Sequence, residues 1–248
     1  MHIHQYVGNN TMHLQLYTFI ITIYLIFRFD QLKYIFIMFF YLVFLFAVIL
    51  ILRLYYIWHT LGESNHCQKK TLKVLAVAGS GGHTSELLRL LSSLPKDFTP
   101  RVYIIASSDK MSLNKINDFE SKLKLIKKGD FDVHTIPRSR EVRQSWSSTV
   151  FTTIYATIYS IPLVWSVKPD LILCNGPGTC VPICFISFVF KVCGFIWTDI
   201  IFVESICRVT SISMTGRLLY PIANKFYVQW PALVKEYPKA LYFGGRLV

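Results

Sequence analysis

The sequence predicts an α/β fold, in which a parallel β-sheet with helices on both faces follows a transmembrane anchor. Short runs rich in β-branched and aromatic residues alternate with longer segments whose apolar residues recur at helical spacing. Ahead of this alternation lies one long apolar segment without a charge. The chain has 248 residues, enough for one such domain and an additional segment outside it. We therefore predict a Rossmann-like domain at residues 72–248, joined by a linker at residues 53–71 to the apolar segment.

The apolar segment at residues 35–52 reads IFIMFFYLVFLFAVILIL and is bracketed by Lys33 and Arg53. A membrane-spanning helix needs about 20 apolar residues, so this segment is long enough to cross a bilayer. As a core helix it would need protein around its whole circumference. It is too long and too far from the N-terminus for a signal peptide. In the N-terminal extension, residues 1–34, the stretch at residues 14–27 is a candidate for a second, marginal or re-entrant segment.

Charge and cysteine usage narrow the class of protein. More basic residues closely follow the apolar segment than precede it, which favours a cytosolic domain. The net charge of +12 suits an anionic membrane or a phosphorylated substrate, and no Lys/Arg block interleaved with aromatics points to nucleic acid. The 6 cysteines include no C-x-x-C pair, and Cys180, Cys184 and Cys193 lie in an apolar helical run. We expect reduced thiols, no metal site and no cofactor.

The alternation in the domain defines strands and helices in turn. The predicted helices are Thr84–Leu94, Ser147–Val167 and Thr179–Cys193, and the last two are apolar enough to resemble membrane spans. Each is interrupted by Thr, Ser or Pro, and the strand–helix–strand order predicts that both are buried against the sheet. Ligands of such sheets bind at the carboxyl ends of the strands. The predicted strands are Leu72–Ala78, Arg101–Ala106, Val133–Ile136, Leu171–Cys174, Ile200–Val203 and Phe226–Val228.

The loop after the first predicted strand is rich in glycine. Gly79, Ser80, Gly81 and Gly82 lie where a ligand can approach backbone N–H groups and a helix N-terminus attracts an anion. This favours a phosphate or a diphosphate. A dinucleotide fingerprint would need glycine at Thr84, and a P-loop would need a Lys followed by Ser or Thr, so neither standard motif is present. A tight turn without a ligand is the alternative.

His83 follows the glycines directly. Imidazole is the side chain that most often serves as a general base. A single histidine is also commonly a packing or capping residue. The residues alone leave both roles open.

The loop after the fourth predicted strand repeats this arrangement. Two glycines and a proline before a helix make a turn that a ligand can approach closely, with an amide and a hydroxyl beside it. Its residues are Asn175, Gly176, Pro177, Gly178 and Thr179.

Charged side chains follow two other strands. Glu204 ends the fifth strand, and its carboxylate could pair with Arg208, hold a sugar hydroxyl or orient His83. A basic cluster after the third strand could meet anionic headgroups or a partner, or form a solvated face. That cluster consists of Arg138, Arg140 and Arg143.

Several stretches in fixed order carry a family resemblance that covers nearly all of residues 72–248. They are AGSGGHTSELLRLL, IPRSREVRQSWSSTVFTT, KPDLILCNGPGTCVP, VESICRV and VQWPAL. The chain resembles the membrane-anchoring subunit of the two-part UDP-N-acetylglucosamine transferase that adds the second sugar to dolichol-linked GlcNAc diphosphate.

The resemblance implies one half of a GT-B glycosyltransferase that is split over two chains. In the similar bacterial single-chain enzyme that glycosylates lipid-linked muramoyl peptide, the N-terminal half handles the lipid acceptor and the C-terminal half binds the UDP-sugar. A separate soluble subunit would then bind UDP-GlcNAc. This chain would bind the dolichol-diphosphate-GlcNAc acceptor at the endoplasmic reticulum membrane, with its domain in the cytosol.

Roles for individual residues also follow from the resemblance. His83 would take the proton from the acceptor 4-hydroxyl as it attacks the anomeric carbon of UDP-GlcNAc with inversion, and Glu204 would stand at the cleft as a second catalytic candidate. With the two arginines of the basic cluster, the substrate-binding candidates are Gly79, Ser80, Gly81, Gly82, Thr84, Asn175, Gly176, Pro177, Gly178, Thr179, Arg138 and Arg140. The partner-binding candidates are Tyr242, Phe243, Gly244, Gly245, Arg246, Leu247 and Val248.

Two other functions stay open. The chain could be a non-catalytic recruiter that only brings a catalytic partner to the membrane. It could also be a membrane-tethered NAD-dependent oxidoreductase, in which Asp109 after the second strand would bind the ribose.

Overall fold

The computed structural model describes residue 28 and residues 33–61, 69–123, 131–140 and 144–245. The chain divides into two compact units, Met1–Tyr55 and Tyr56–Val248. The predicted second apolar segment, residues 14–27, lies outside the described residues, as do residues 62–68 of the predicted linker.

Helix α1, Lys33–His59, supplies nearly all the described residues of the first unit. It is 27 residues long, and none of its residues from Lys33 to Leu52 is buried. By length and composition it can cross a membrane, as predicted for residues 35–52. It continues seven residues past Leu52 into the segment predicted as linker. The helix is therefore a candidate membrane anchor.

The second unit is built on a parallel sheet of seven strands in the order β3-β2-β1-β4-β5-β6-β7. This confirms the predicted α/β, Rossmann-like fold class. All six predicted strands are present, and β7 is an additional short edge strand. The strands are β1 Val74–Val77, β2 Arg101–Ala106, β3 Phe131–Ile136, β4 Leu171–Cys174, β5 Asp199–Val203, β6 Lys225–Tyr227 and β7 Ala240–Leu241.

Helices connect successive strands as the alternation predicts. The first of them starts two residues before its predicted start, so Thr84 is its third residue. The helices are α2 Gly82–Ser92, α3 Lys110–Lys122, α4 Trp146–Val167, α5 Cys180–Cys193, α6 Met214–Leu219 and α7 Pro231–Glu236.

Apolar side chains form a core on each face of the sheet. Leu87 of α2 and Ile116 of α3 belong to one cluster. Ile183 of α5, Leu219 of α6 and Leu233 of α7 belong to the other, together with the C-terminal end of α4. Strands β1 and β4 are buried on both faces, which explains why they read as continuous apolar runs rather than alternating ones.

The prediction that both apolar helices are buried against the sheet holds for α5 but not for the outer side of α4. Helix α5 is mostly buried, and Cys180 and Cys184 lie in its core beside Cys174. Burial raises the pKa of all three thiols, so they are inert apolar groups, as predicted for Cys180 and Cys184. Cys193, the third cysteine of the predicted apolar run, is exposed because it lies at the end of α5. Helix α4 departs from the prediction, because its outer face leaves large apolar side chains exposed.

The strand order reverses between β1 and β4. The chain moves outward from β1 to β2 and β3, then returns to place β4 on the other side of β1. The loops that leave β1 and β4 therefore diverge to opposite sides of the sheet and leave a crevice between them. Both predicted glycine-containing loops lie at this crevice.

Candidate functional site

The loops after β1 and β4 approach each other closely. A Cβ atom built on Gly79 would lie 2.4 Å from Cβ of Pro177. No side chain fits in that space, so glycine is required for the two loops to meet. The pattern that suggested close approach to a ligand thus also serves close approach between loops.

His83 bridges the two loops. Its Nδ1 atom lies 3.0 Å from Oδ1 of Asn175, the residue that follows β4. When Nδ1 carries the proton and donates it to this amide oxygen, Nε2 keeps its lone pair and can accept a proton. Gly176, with φ of 75°, makes room for the ring, since a Cβ there would lie 2.7 Å from Cε1 of His83.

Asn175 and Thr179 are buried, yet each keeps a polar atom without a hydrogen-bond partner in the described part of the chain. These atoms are Nδ2 of Asn175 and Oγ1 of Thr179. Thr179 occupies the N-cap position of α5, as predicted, but its hydroxyl makes no capping bond. Thr179 lines the cavity described next, although its hydroxyl oxygen is itself buried.

A cavity of about 630 Å³ opens at this crevice. It brings together predicted residues from three loops, namely Gly79, Ser80, His83, Arg138, Arg140, Gly176, Pro177, Gly178 and Thr179. Its volume falls in the range of sites that hold a small molecule or headgroup. The rest of its lining was not predicted and comes from β2, the loops after β3 and β5, and helices α4, α5 and α6: Ala106, Ser139, Trp146, Thr149, Thr153, Val181, Arg208, Ser213, Met214, Thr215 and Leu218.

The charge that lines the cavity is basic. Arg138, Arg140 and Arg208 contribute to it, and none of its described lining residues is Asp or Glu. The guanidinium of Arg140 lies 4.2 Å from the ring centroid of Trp146. A cation stacked on an aromatic ring beside glycine-rich loops and a helix N-terminus suits an anionic ligand with an apolar neighbour.

Comparison with known proteins agrees with this geometry. Residues 74–246 match the family described as "Oligosaccharide biosynthesis protein Alg14 like". The human "UDP-N-acetylglucosamine transferase subunit ALG14" is 50% identical over 211 residues, which cover 82% of this chain and 94% of that protein. The chain belongs to the Alg14 family.

More distant Alg14 relatives also match. The Yarrowia lipolytica protein of the same name is 42% identical over 173 residues, covering 69% of this chain and 80% of its own length. Among solved structures, MurG of Acinetobacter baumannii superposes with a TM-score of 0.47 at 14% identity, over 65% of this chain and 42% of the MurG chain. The family match over residues 74–246 and the human relative confirm the resemblance carried by the sequence motifs.

Four predicted binding residues do not line the cavity: Asn175, whose contact with His83 is described above, and Thr84, Gly81 and Gly82. Thr84 is fully buried, donates its hydroxyl to the carbonyl oxygen of Gly79 and lies 2.7 Å from Oγ of Ser112. Its contacts hold the glycine loop in place rather than face a ligand. Gly81 and Gly82 lie at the start of α2. Gly81 has a φ of 71°, a backbone conformation that favours glycine.

Asp109, the residue that suggested an oxidoreductase, contacts the start of α3 instead of facing a ligand. Asp109 accepts from the backbone N–H of Ser112 at 3.1 Å and from its hydroxyl at 2.6 Å. It therefore caps α3 and is buried. The structure assigns Asp109 to a helix cap, which removes the observation that favoured a dinucleotide site.

Glu204 does not orient His83, which corrects one predicted role. Its carboxylate is fully buried and accepts from the backbone N–H of Ser205 at 3.1 Å and of Ser213 at 2.8 Å. Burial raises its pKa, although the N–H donors act in the opposite direction. Gly216 is needed here, because a Cβ would lie 2.6 Å from the carboxylate. Glu204 fastens the start of α6, and the contact with His83 comes from Asn175 instead.

The predicted partner-binding stretch lies at the β7 edge of the sheet, away from the residues that line the cavity. Phe243 is exposed, and its ring centroid lies 5.1 Å from that of Tyr227. Tyr242 packs partly against the core, and Gly244 and Gly245 follow it. The last three residues, Arg246, Leu247 and Val248, lie outside the described residues, as does Arg143 of the basic cluster.

Proposed function

We propose that this Alg14 protein is the membrane-bound subunit of a heteromeric transferase that adds N-acetylglucosamine from UDP-GlcNAc to dolichol-diphosphate-GlcNAc, the second step in assembling the N-glycan precursor. The observation that carries the proposal is a basic, histidine-containing cavity at the switch point of a chain that matches its family over residues 74–246. Relatives with half of their residues in common are named subunits of a UDP-N-acetylglucosamine transferase. Helix α1 supplies the anchor to the endoplasmic reticulum membrane.

The cavity is suited to the diphosphate of a lipid acceptor. The N-terminal end of α2, where His83 lines the cavity, and the guanidinium groups of Arg138, Arg140 and Arg208 would bind the phosphate oxygens. The side chain of Thr179 and the ring of Trp146 complete a surface for a sugar and the first part of a lipid chain.

His83 is the group we assign as general base. With Nδ1 held by Asn175, Nε2 is the atom that accepts the proton of the acceptor 4-hydroxyl. The freed oxygen attacks the anomeric carbon of UDP-GlcNAc, the bond from that carbon to the UDP oxygen breaks, and the configuration inverts. UDP leaves with the electron pair.

The donor sugar is assigned to a second, soluble chain. A subunit that binds UDP-GlcNAc would face the cavity from the cytosolic side, and the stretch that begins at Tyr242 would contribute to its binding. The exposed ring of Phe243 is an apolar contact of the kind that anchors such interfaces.

Reconstitution with the donor-binding partner tests the proposal. The full chain is co-expressed with that subunit, purified in detergent and given UDP-GlcNAc with a GlcNAc-diphosphate-polyprenol acceptor. We expect the pair to form a product with a second GlcNAc, and each chain alone to form none. A stable pair with no transfer to this acceptor would overturn the assignment of substrate.

The recruiter hypothesis is separated by one variant. His83→Ala should assemble with the partner as the unmodified chain does, while turnover falls by about two orders of magnitude. Full turnover in the assembled His83→Ala pair would show that this chain only recruits its partner.

A further inference from the structure

Helix α4 buries small residues and exposes large apolar ones, the reverse of the usual arrangement in a soluble domain. The side that faces the protein carries small residues such as Ala156 and Ser160 at its centre. The opposite side exposes large apolar residues along the whole helix, and Phe151 is 73% exposed. In a soluble domain the large apolar side chains should face the core. The exposed set, here called the α4 outer face, is Val150, Phe151, Ile154, Tyr155, Ile158, Tyr159, Ile161 and Trp165.

Two hydroxyl groups in the middle of α4 bond back to the backbone of the same helix. Thr157 donates to the carbonyl oxygen of Thr153 at 2.7 Å, and Ser160 donates to that of Ala156 at 2.6 Å. Small residues towards the protein, with hydroxyls bonded back to the helix and large apolar residues outward, are the arrangement of helices that contact lipid. The hydroxyls of Thr157 and Ser160 therefore add no unsatisfied polar group to the middle of this helix.

Charge and aromatic rings are concentrated at the two ends of the helix. No charged residue occurs between Arg143 and Lys168. At the start, Arg140 stacks on Trp146 at 4.2 Å, and at the end Nζ of Lys168 lies 5.0 Å from the ring centroid of Trp165. Tryptophan and basic residues together are typical anchors in the headgroup region of a bilayer.

We propose that α4 lies in the plane of a membrane, with its outer face in the upper acyl region and its basic ends among anionic lipid headgroups. A bilayer, rather than a protein, is the occupant we infer. The chain carries its own candidate membrane span in α1, so the domain is held near a bilayer. The outer face also carries no charge along a helix of 22 residues, about 33 Å. An apolar surface of that length is long for the central patch of a protein interface and well suited to a lipid surface.

The helix cannot span the membrane in this structure. Ala156, Ser160, Val164 and Val167 are buried, because α4 packs on the sheet layer and on α5 along its length. Crossing a bilayer would carry polar parts of that layer into lipid. Its length and composition also suffice for a span, but its one-sided burial indicates an interfacial helix.

Insertion of the outer face has a consequence for the cavity. Trp146, Thr149 and Thr153 of α4 line it, so the cavity mouth would sit at the level of the headgroups. A diphosphate attached to a membrane lipid could then enter without its tail leaving the bilayer. This inference goes beyond the proposed function, because insertion is measured without any sugar transfer.

Single labelled cysteines test the insertion. The exposed Cys193 and Cys207, together with Cys67, are replaced by Ser in the full chain, and one Cys is introduced by Phe151→Cys, Ile158→Cys or Met111→Cys. Met111 is the matched control, since it is 71% exposed on α3, on the other face of the sheet. Each variant is labelled with an environment-sensitive fluorophore and reconstituted in phosphatidylcholine vesicles that contain phosphatidylserine.

Brominated lipids should quench the labels at positions 151 and 158 at least twofold more strongly than the label at position 111. Equal quenching at all three positions would overturn the proposal. It would also be overturned if the labels at 151 and 158 became shielded only after the donor-binding subunit was added, because a protein would then be the occupant.

A functional arm uses the double variant Phe151→Ser with Ile158→Ser. We expect its KM for a bilayer-embedded long-chain acceptor to rise about tenfold, a loss of uniform binding, while its KM for a short-chain acceptor in detergent is unchanged. An equal rise for both acceptors would indicate damage to the cavity instead and would contradict the membrane role.

Discussion

Nδ1 of His83 lies 3.0 Å from Oδ1 of Asn175, and this hydrogen bond joins the two loops that leave β1 and β4 at the topological switch point. Asn175 is fully buried, so its orientation is fixed by packing. The bond sets which nitrogen of His83 carries the proton. In this account Asn175 is a positioning residue that acts through His83.

Replacing Asn175 by Asp tests that role through a pH profile. The variant keeps an oxygen opposite Nδ1 but adds a negative charge, which stabilises the protonated imidazole. Because the base must be neutral, the acid limb of the kcat profile should move to higher pH. The assay is transfer by the assembled pair between pH 5 and 9, with Asn175→Ala as the comparison.

For Asn175→Ala we expect kcat to fall about tenfold or more with no charge-dependent movement of the acid limb. A purely structural role for Asn175 would lower activity in both variants and leave the limb in place in both. That result would contradict the assignment of His83 as the general base.

Gly176→Ala should damage the site more than the fold. The new Cβ would meet the His83 ring at 2.7 Å, and alanine at the positive φ of 75° adds about 1–2 kcal/mol of strain. We expect transfer to fall strongly while the pair still assembles. Gly178→Ala is the matched control for stability, because its Cβ meets nothing within 4 Å. It should leave the free energy of unfolding within about 0.5 kcal/mol of that of the unmodified chain.

Arg140→Gln should weaken acceptor binding. Arg140 lines the cavity and stacks on Trp146, so its loss removes a cation that would contact the diphosphate. We expect the KM for the lipid acceptor to rise about tenfold, equivalent to about 1.4 kcal/mol, and to depend less on salt. Arg89→Gln makes the same change in net charge outside this cavity and should change neither quantity. Equal effects of the two variants would point to general surface charge.

Glu204→Gln should act on stability. Both carboxylate oxygens accept from backbone N–H groups, so an amide nitrogen would face a donor in either orientation. The free energy of unfolding should fall by about 1–3 kcal/mol. The exposed Glu236→Gln is the control and should have little effect. Chemical denaturation of the detergent-solubilised chain measures both.

The same variant has a pH signature. The pKa of Glu204 is raised above its ordinary value of 4.5, so its contribution to stability is fully present below pH 4.5 and is lost as the pH rises through the folded-state pKa. The difference in unfolding free energy between the unmodified chain and Glu204→Gln should therefore increase as the pH is lowered towards 4.5. A difference that shrinks over that range would contradict the raised pKa.

Much of the fold was predictable, because burial dictates sequence where strands are covered on both sides. β1 and β4 are continuous apolar runs, and each is followed by a glycine-containing loop that opens a helix. Both loops were therefore predicted to carry the chemistry, and seven of their residues do line one cavity.

Other features depend on contacts between distant residues and left no local signal. The role of Asn175 depends on its distance from His83, and the cap formed by Glu204 depends on Ser213 in another segment. The exposed face of α4 was missed for a different reason. Its apolar residues read as core because composition does not reveal which side of a helix meets the protein, and the small inward side of α4 inverts the usual pattern.

The central claim is that the cavity beside His83 receives the diphosphate of a lipid-linked acceptor. The most direct measurement is photo-crosslinking of the assembled pair in vesicles with a GlcNAc-diphosphate-polyprenol whose sugar carries a diazirine, followed by mapping of the labelled peptides. The account predicts labels on this chain within residues 79–83, 138–140 and 175–181, and their loss in Gly176→Ala. Labelling confined to the donor-binding partner, or unchanged in Gly176→Ala, would contradict it.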